Sequence, residues 1–161
     1  MLIKEHGKKN GFQINNPPVT MNDPQNPVKS LLPLRFVLGT WIGEGHSFGQ
    51  VLRGKLTAKL RLQNTFMEIE EQLFLSDGTL DYEDSAWVGF DDTQNRLSVT
   101  HFMAPATIER KLVLLNSAGF YWWVGPTAPI VYFIDAKPNL HVQIISSDEA
   151  LLGEMTYKRA Q

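Results

Sequence analysis

Gly39-Thr40-Trp41-Ile42-Gly43-Glu44-Gly45, residues 39–45, decides how the rest of this chain is read. It opens a long succession of short, strand-like segments. In extended backbone alternate residues share a face, so Trp41, Gly43 and Gly45 line up together. The small residues leave room beside the indole or allow a sharply coiled strand. Gly39 lets the entering backbone pack tightly beside Trp41. The plainer alternative is that Trp41 is an ordinary core aromatic at a strand start.

From Gly39 onward the punctuation is regular. The strand-like segments are Thr40–Phe48, Leu52–Gln63, Thr65–Leu75, Leu80–Phe90, Arg96–Met103, Thr107–Leu115, Phe120–Val124, Ile130–Asp135, Leu140–Ser146 and Leu151–Arg159. Turn signals separate nearly all of them, among them Ser76-Asp77-Gly78, Asn116-Ser117-Ala118-Gly119, Gly125-Pro126 and Lys137-Pro138-Asn139. About ten strands at roughly 8–12-residue spacing, with no long helix, read as an all-β antiparallel up-and-down barrel. A β-sandwich is the alternative that the same spacing permits. Residues 1–26 differ: Asn, Pro, Gly and Lys dominate, as in an arm preceding a single domain over 27–161. A short helical turn over 27–32 is expected to cap one barrel end.

Bulk composition narrows the function classes. The chain has 161 residues, 43% of them hydrophobic, with a net charge of −2. No broad positive field favours nucleic acid. No apolar run approaches the roughly 20 residues of a membrane-spanning helix, and the first residues lack the apolar core of a secretory signal. The chain has no cysteine, which removes disulfides, thiolate nucleophiles and cysteine metal sites and fits a cytoplasmic protein.

Alternation assigns the faces. Leu56, Ala58, Leu60 and Leu62 point inward in the second segment, with Leu97, Val99, His101 and Met103 in the fifth. In the third, Glu71 alternates with Met67, Ile69, Leu73 and Leu75. In the sixth, Arg110 alternates with Ile108, Leu112 and Leu114. Three polar side chains, Glu71, His101 and Arg110, thus stand among apolar neighbours, where a charge is costly unless paired. Arg110 could receive a ligand anion through its bidentate fork, with His101 assisting; or Arg110 and Glu71 form a structural pair. Within Phe120-Tyr121-Trp122-Trp123 one pair of aromatics faces inward and the other outward. Trp87, Trp123 and Tyr132 are expected to pack on a ligand. Asp81, Glu83 and Asp84 read as a solvated hairpin, without calcium-loop spacing. No zinc-ligand spacing, nucleophile elbow or phosphate loop is present.

The Gly-x-Trp opening is similar to the bottom plug of lipocalin-type barrels, in which an Arg of the last strand covers the Trp; Arg159 would take that place beside Gly39 and Trp41. Gly39–Gly45 also resembles the GTWxGxG opening of nitrobindin-like proteins, ten-stranded barrels akin to fatty-acid-binding proteins. Ala104-Pro105-Ala106-Thr107-Ile108-Glu109 is similar to another of their segments, without its Gly. That resemblance implies a calycin-type barrel and, in that family, haem held by a His of the last strand. Here Leu151–Arg159 has no His, which sets haem behind the other readings.

The sequence therefore leads to a barrel binding a small hydrophobic or amphiphilic ligand, with an acidic group held by Arg110. An isomerase- or cyclase-type enzyme using His101 and Glu71 is a second expectation. A filled structural module is a third, and a homodimer through the outer aromatics is a further one. No metal site is expected.

Overall fold

The computed structural model describes residues 30–115, 118–124 and 128–161. The arm read over 1–26 lies outside them, as do 27–29 of the expected helical turn and parts of two turns, 116–117 and 125–126. Eleven strands follow one another: β1 (Gly39–Ser47), β2 (Gln50–Arg61), β3 (Phe66–Phe74), β4 (Leu80–Asp91), β5 (Arg96–Met103), β6 (Thr107–Leu112), β7 (Leu114–Leu115), β8 (Gly119–Val124), β9 (Ala128–Ile134), β10 (Leu140–Ile145) and β11 (Leu151–Arg159). They form one antiparallel sheet in the order β6-β5-β4-β3-β2-β1-β11-β10-β9-β8-β7.

The two edges of that sheet are consecutive pieces of one segment. β6 pairs with β5, β7 pairs with β8, and Val113 between them donates its N–H to the Leu97 carbonyl at 3.0 Å. One bent strand over 107–115 thus serves both edges, and the sheet is a nearly closed up-and-down barrel. Near-closure covers edges that would otherwise offer unpaired backbone groups. The ten segments read from sequence become eleven elements because of this bend.

One end is plugged. A 3-10 helix over Leu32–Val37, with Pro33 in its first turn, buries Leu34 and Val37 there. It begins where the turn expected over 27–32 was to end. Trp41 is buried above it and donates its indole N–H to the Val37 carbonyl at 2.7 Å. Arg159, opposite Trp41 in the β1–β11 register, lies over the indole at 4.4 Å and donates to the Leu38 carbonyl at 2.7 Å. Gly39 has φ +119°, and a Cβ there would stand 2.5 Å from the Arg159 guanidinium. The chain turns in so sharply here that only glycine serves.

The faces follow the alternation in β2, β3 and β5, except that Leu62 sits exposed in the turn after β2. β6 is the correction. Its register sets Thr107 opposite Met103, Glu109 opposite His101 and Lys111 opposite Val99, so Ile108, Arg110 and Leu112 take the outer face. The short turn Ala104–Ala106, closed by Ala106 N–H to the Met103 carbonyl, fixes that register. A shift of one residue turns every side chain over.

Candidate functional site

The barrel interior is layered along its axis. Above the plug lies a solid aromatic layer. Phe120 and Trp122 of β8 face inward and stack on Tyr132 of β9, with ring centroids 4.9 and 5.0 Å away. Each such pair adds about 0.5–1.5 kcal/mol beyond its buried area. His101 meets Trp122 edge-on at 5.6 Å.

A polar layer follows. Glu71 of β3 and Asp84 of β4 stand opposite one another in the register, and both point inward. Each is 6% exposed. His101 Nε2 lies 2.6 Å from Asp84 Oδ2, and the Trp122 indole donates to His101 Nδ1 at a long 3.4 Å. An indole only donates, so Nδ1 accepts and the imidazole proton sits on Nε2, directed at Asp84. Tyr82 adds a hydroxyl donor to the same Asp84 oxygen at 3.2 Å.

Glu71 is served from the far side of the sheet. Tyr157 of β11 donates its hydroxyl to Glu71 Oε1. Its path is made by two glycines: Gly43 stands beside Tyr157 in one register and beside Gly54 in the next. A Cβ on Gly54 would run into the Tyr157 hydroxyl, and one on Gly43 into the Thr156 carbonyl. The second glycine of the opening motif thus lets a tyrosine cross two strands to a carboxyl on the third.

The electrostatics follow from burial. Removal from water, and after it the Asp84 charge, push Glu71 up to about 8, against the lowering effect of the Tyr157 hydrogen bond. Glu71 therefore keeps its proton at neutral pH. Burial and the same two carboxyls also push the Tyr132 and Tyr157 phenols up, so they remain neutral donors.

Above this layer the barrel is hollow. A cavity of about 360 Å³ opens at the end opposite the plug. Glu71 and Asp84 lie at its floor, and Leu52, Leu73, Ile130, Val142, Ile144 and Met155 are among its apolar walls. Small-molecule sites have this character: apolar walls and few polar groups, in about 300–1,000 Å³. Around the same end, Phe48, Val51, Leu80, Phe102, Ile108 and Leu151 are exposed.

The expected site residues separate into two sets. Glu71, His101 and Tyr132 are inside and close together, although His101 and Tyr132 belong to the layer beneath the cavity. Arg110 is not inside: its side chain is 65% exposed and pairs with Asp91 at 2.5 Å. Trp87 stands opposite Glu68 and Thr100 on the outer face, against Phe66. Trp123 is opposite Pro129 on the outer face of β8, while Trp122 is inside. His46 lies exposed at the rim. Asp84 and Tyr157 were not singled out for this layer. Asp84 was read as part of a solvated hairpin, yet it shares parity with Tyr82, Ala86 and Val88, and that parity was the available signal.

Haem does not fit these residues. β11 offers no His, its Tyr157 is committed to Glu71, and both ring nitrogens of His101 are engaged. Among the described residues no three His, Asp or Glu side chains are grouped to hold a metal ion, and no helix is long and apolar enough to cross a membrane.

Fold and interior together define a class: a nearly closed antiparallel β-barrel compatible with a calycin-like fold, plugged at one end. No protein-family model and no curated protein matches the chain.

Proposed function

We propose that this barrel binds a small apolar or amphiphilic molecule in the cavity at its open end, polar end down. The observation that carries the reading is the division of the interior: aromatic rings fill the plugged half, while the other half holds a cavity of about 360 Å³ with two carboxyl groups at its floor. Burying an apolar body there would contribute roughly 25 cal/mol per Å² removed from water. The anchor expected at Arg110 has no part in this reading, because that side chain faces outward.

The test is a titration with N-phenyl-1-naphthylamine, whose emission rises in apolar surroundings. Saturable binding at one site per chain is expected, and Val142→Trp, which fills the cavity from its wall, should abolish it while the far-ultraviolet circular dichroism stays native. Absence of saturable binding, or binding indifferent to Val142→Trp, would contradict the proposal.

Acid–base catalysis of an isomerase type is the second reading, favoured by one observation: Glu71 holds a proton to about 8 beside Asp84 at a cavity floor. A group titrating near neutrality is suited to proton transfer. In that reading Asp84 takes the place expected of His101, and His101 becomes a positioning residue.

A further inference from the structure

We infer that the cavity prefers small amphiphiles whose polar end is a protonated amine, held between the Glu71 and Asp84 carboxyl groups; this rests on the binding reading above and names its ligand class.

Three independent observations lead there. The first is the hydrogen-bond inventory of the floor. Glu71 Oε1 receives the Tyr157 hydroxyl, and Asp84 Oδ2 receives the Tyr82 hydroxyl and faces His101. No other donor side chain of the described residues reaches Glu71 Oε2 or Asp84 Oδ1; while Glu71 keeps its proton it sits on Oε2, since Oε1 accepts from Tyr157. The second is Tyr132. It lies in the layer just beneath the cavity, 1% exposed and in the field of both carboxyls, and its hydroxyl has no partner among the described residues. Buried polar groups are normally satisfied, so a cluster left short of partners calls for one from outside the chain, a water or a guest.

The third observation is the sign of the charges. Among the described lining residues there is no Lys or Arg, and the rim histidine, His46, is exposed. The groups facing Glu71 and its partners are Asp84 and Tyr82 from β4, His101 from β5, Tyr132 from β9 and Tyr157 from β11. Glu109 and Lys111 of β6 stand opposite His101 and Val99 on the same face. An ammonium head brings three donors and a positive charge to Asp84 Oδ1 and, in exchange for the Glu71 proton, to Glu71 Oε2. A carboxylate head would add like charge and only acceptors, and an alcohol would supply a single donor. The ammonium also removes the reason for Glu71 to keep its proton, since a nearby opposite charge favours the ionised carboxyl. Binding at neutral pH should therefore release a proton, and amine affinity should rise with pH through about 8.

Calorimetric titrations of the full chain with n-octylamine, 1-octanol and octanoate test this. At pH 7, octylamine should bind at least tenfold tighter than octanol, with octanoate weakest. Repetition in buffers of different ionisation enthalpy should show net proton release. Glu71→Gln and Asp84→Asn should each narrow the octylamine-to-octanol ratio toward one. Octylamine binding no tighter than octanol, or octanoate binding tightest, would overturn the inference while saturable octanol binding left the cavity reading standing. Failure of all three to bind would remove both.

Discussion

Glu71 is the residue whose chemistry depends most on the fold. Its carboxyl is raised from 4.5 to about 8 by burial and by Asp84. Between those values the unfolded chain has lost this proton and the native chain keeps it. The native state then binds more protons, and stability falls as pH rises. The contribution is fully present below about 4.5 and is lost by about 8. Urea melts at pH 5 and pH 9 should show this loss, and Glu71→Gln should flatten it; an unchanged slope in the variant would place the titration elsewhere. Gly54 is the second test among single residues. A methyl there meets the Tyr157 hydroxyl and the Met155 methyl, so Gly54→Ala should cost about 1–3 kcal/mol, the usual range for overpacking. Gly49, with nothing within reach of a Cβ but φ +83°, should respond through backbone strain alone. Arg110→Ala is expected to leave ligand binding unchanged and to alter stability little, because the guanidinium is solvated and Asp91 keeps its hydrogen bonds from Thr93 and Gln94.

Among the strands, 107–115 is the most informative, because it serves both edges of the sheet. Val113 at its bend donates to Leu97, and its side chain is fully buried. Val113→Pro removes that donor and leaves a buried carbonyl unsatisfied, at about 1–3 kcal/mol. Amide exchange should quicken first in β7 and β8 along the seam, and uniform quickening over the whole sheet would contradict closure by this strand. The same strand shows where the sequence stops being informative. Strand bounds were legible from turn residues to within a few residues, β5 and β11 keeping the limits read for them, but the bend that makes ten segments eleven strands was not. The inward faces of β2, β3 and β5 were legible from alternation. β6 was not, because Ile108 and Leu112 share a face with Arg110 while Thr107, Glu109 and Lys111 make the other face polar, so alternation pointed to the wrong face. A short turn and pairing with β5, neither visible in local hydrophobicity, decide its register. Alternation therefore set Glu71 and His101 on the inner face, where they lie, while it misplaced Arg110. Asp84 was hidden among the acidic residues of a hairpin, and Tyr157 by the number of strands separating it from Glu71.

For the molecule as a whole, the plugged half and the open half divide stability from binding. Trp41, the 3-10 helix and the Phe120–Tyr132–Trp122 layer form a continuous buried core. Trp41→Ala should cost about 3–5 kcal/mol, as for other buried aromatics, and register as a lower midpoint in thermal melts. Loss of Leu73 from the cavity wall should cost less, because one side of that residue faces open space. Crystals pressurised with xenon, which enters empty apolar cavities, test this division most directly. The account predicts xenon density in the open half, among Leu52, Leu73, Val142 and Met155, and none beside Phe120, Tyr132 or Trp122. Xenon absent from the open half, with those side chains closed on one another, would contradict it.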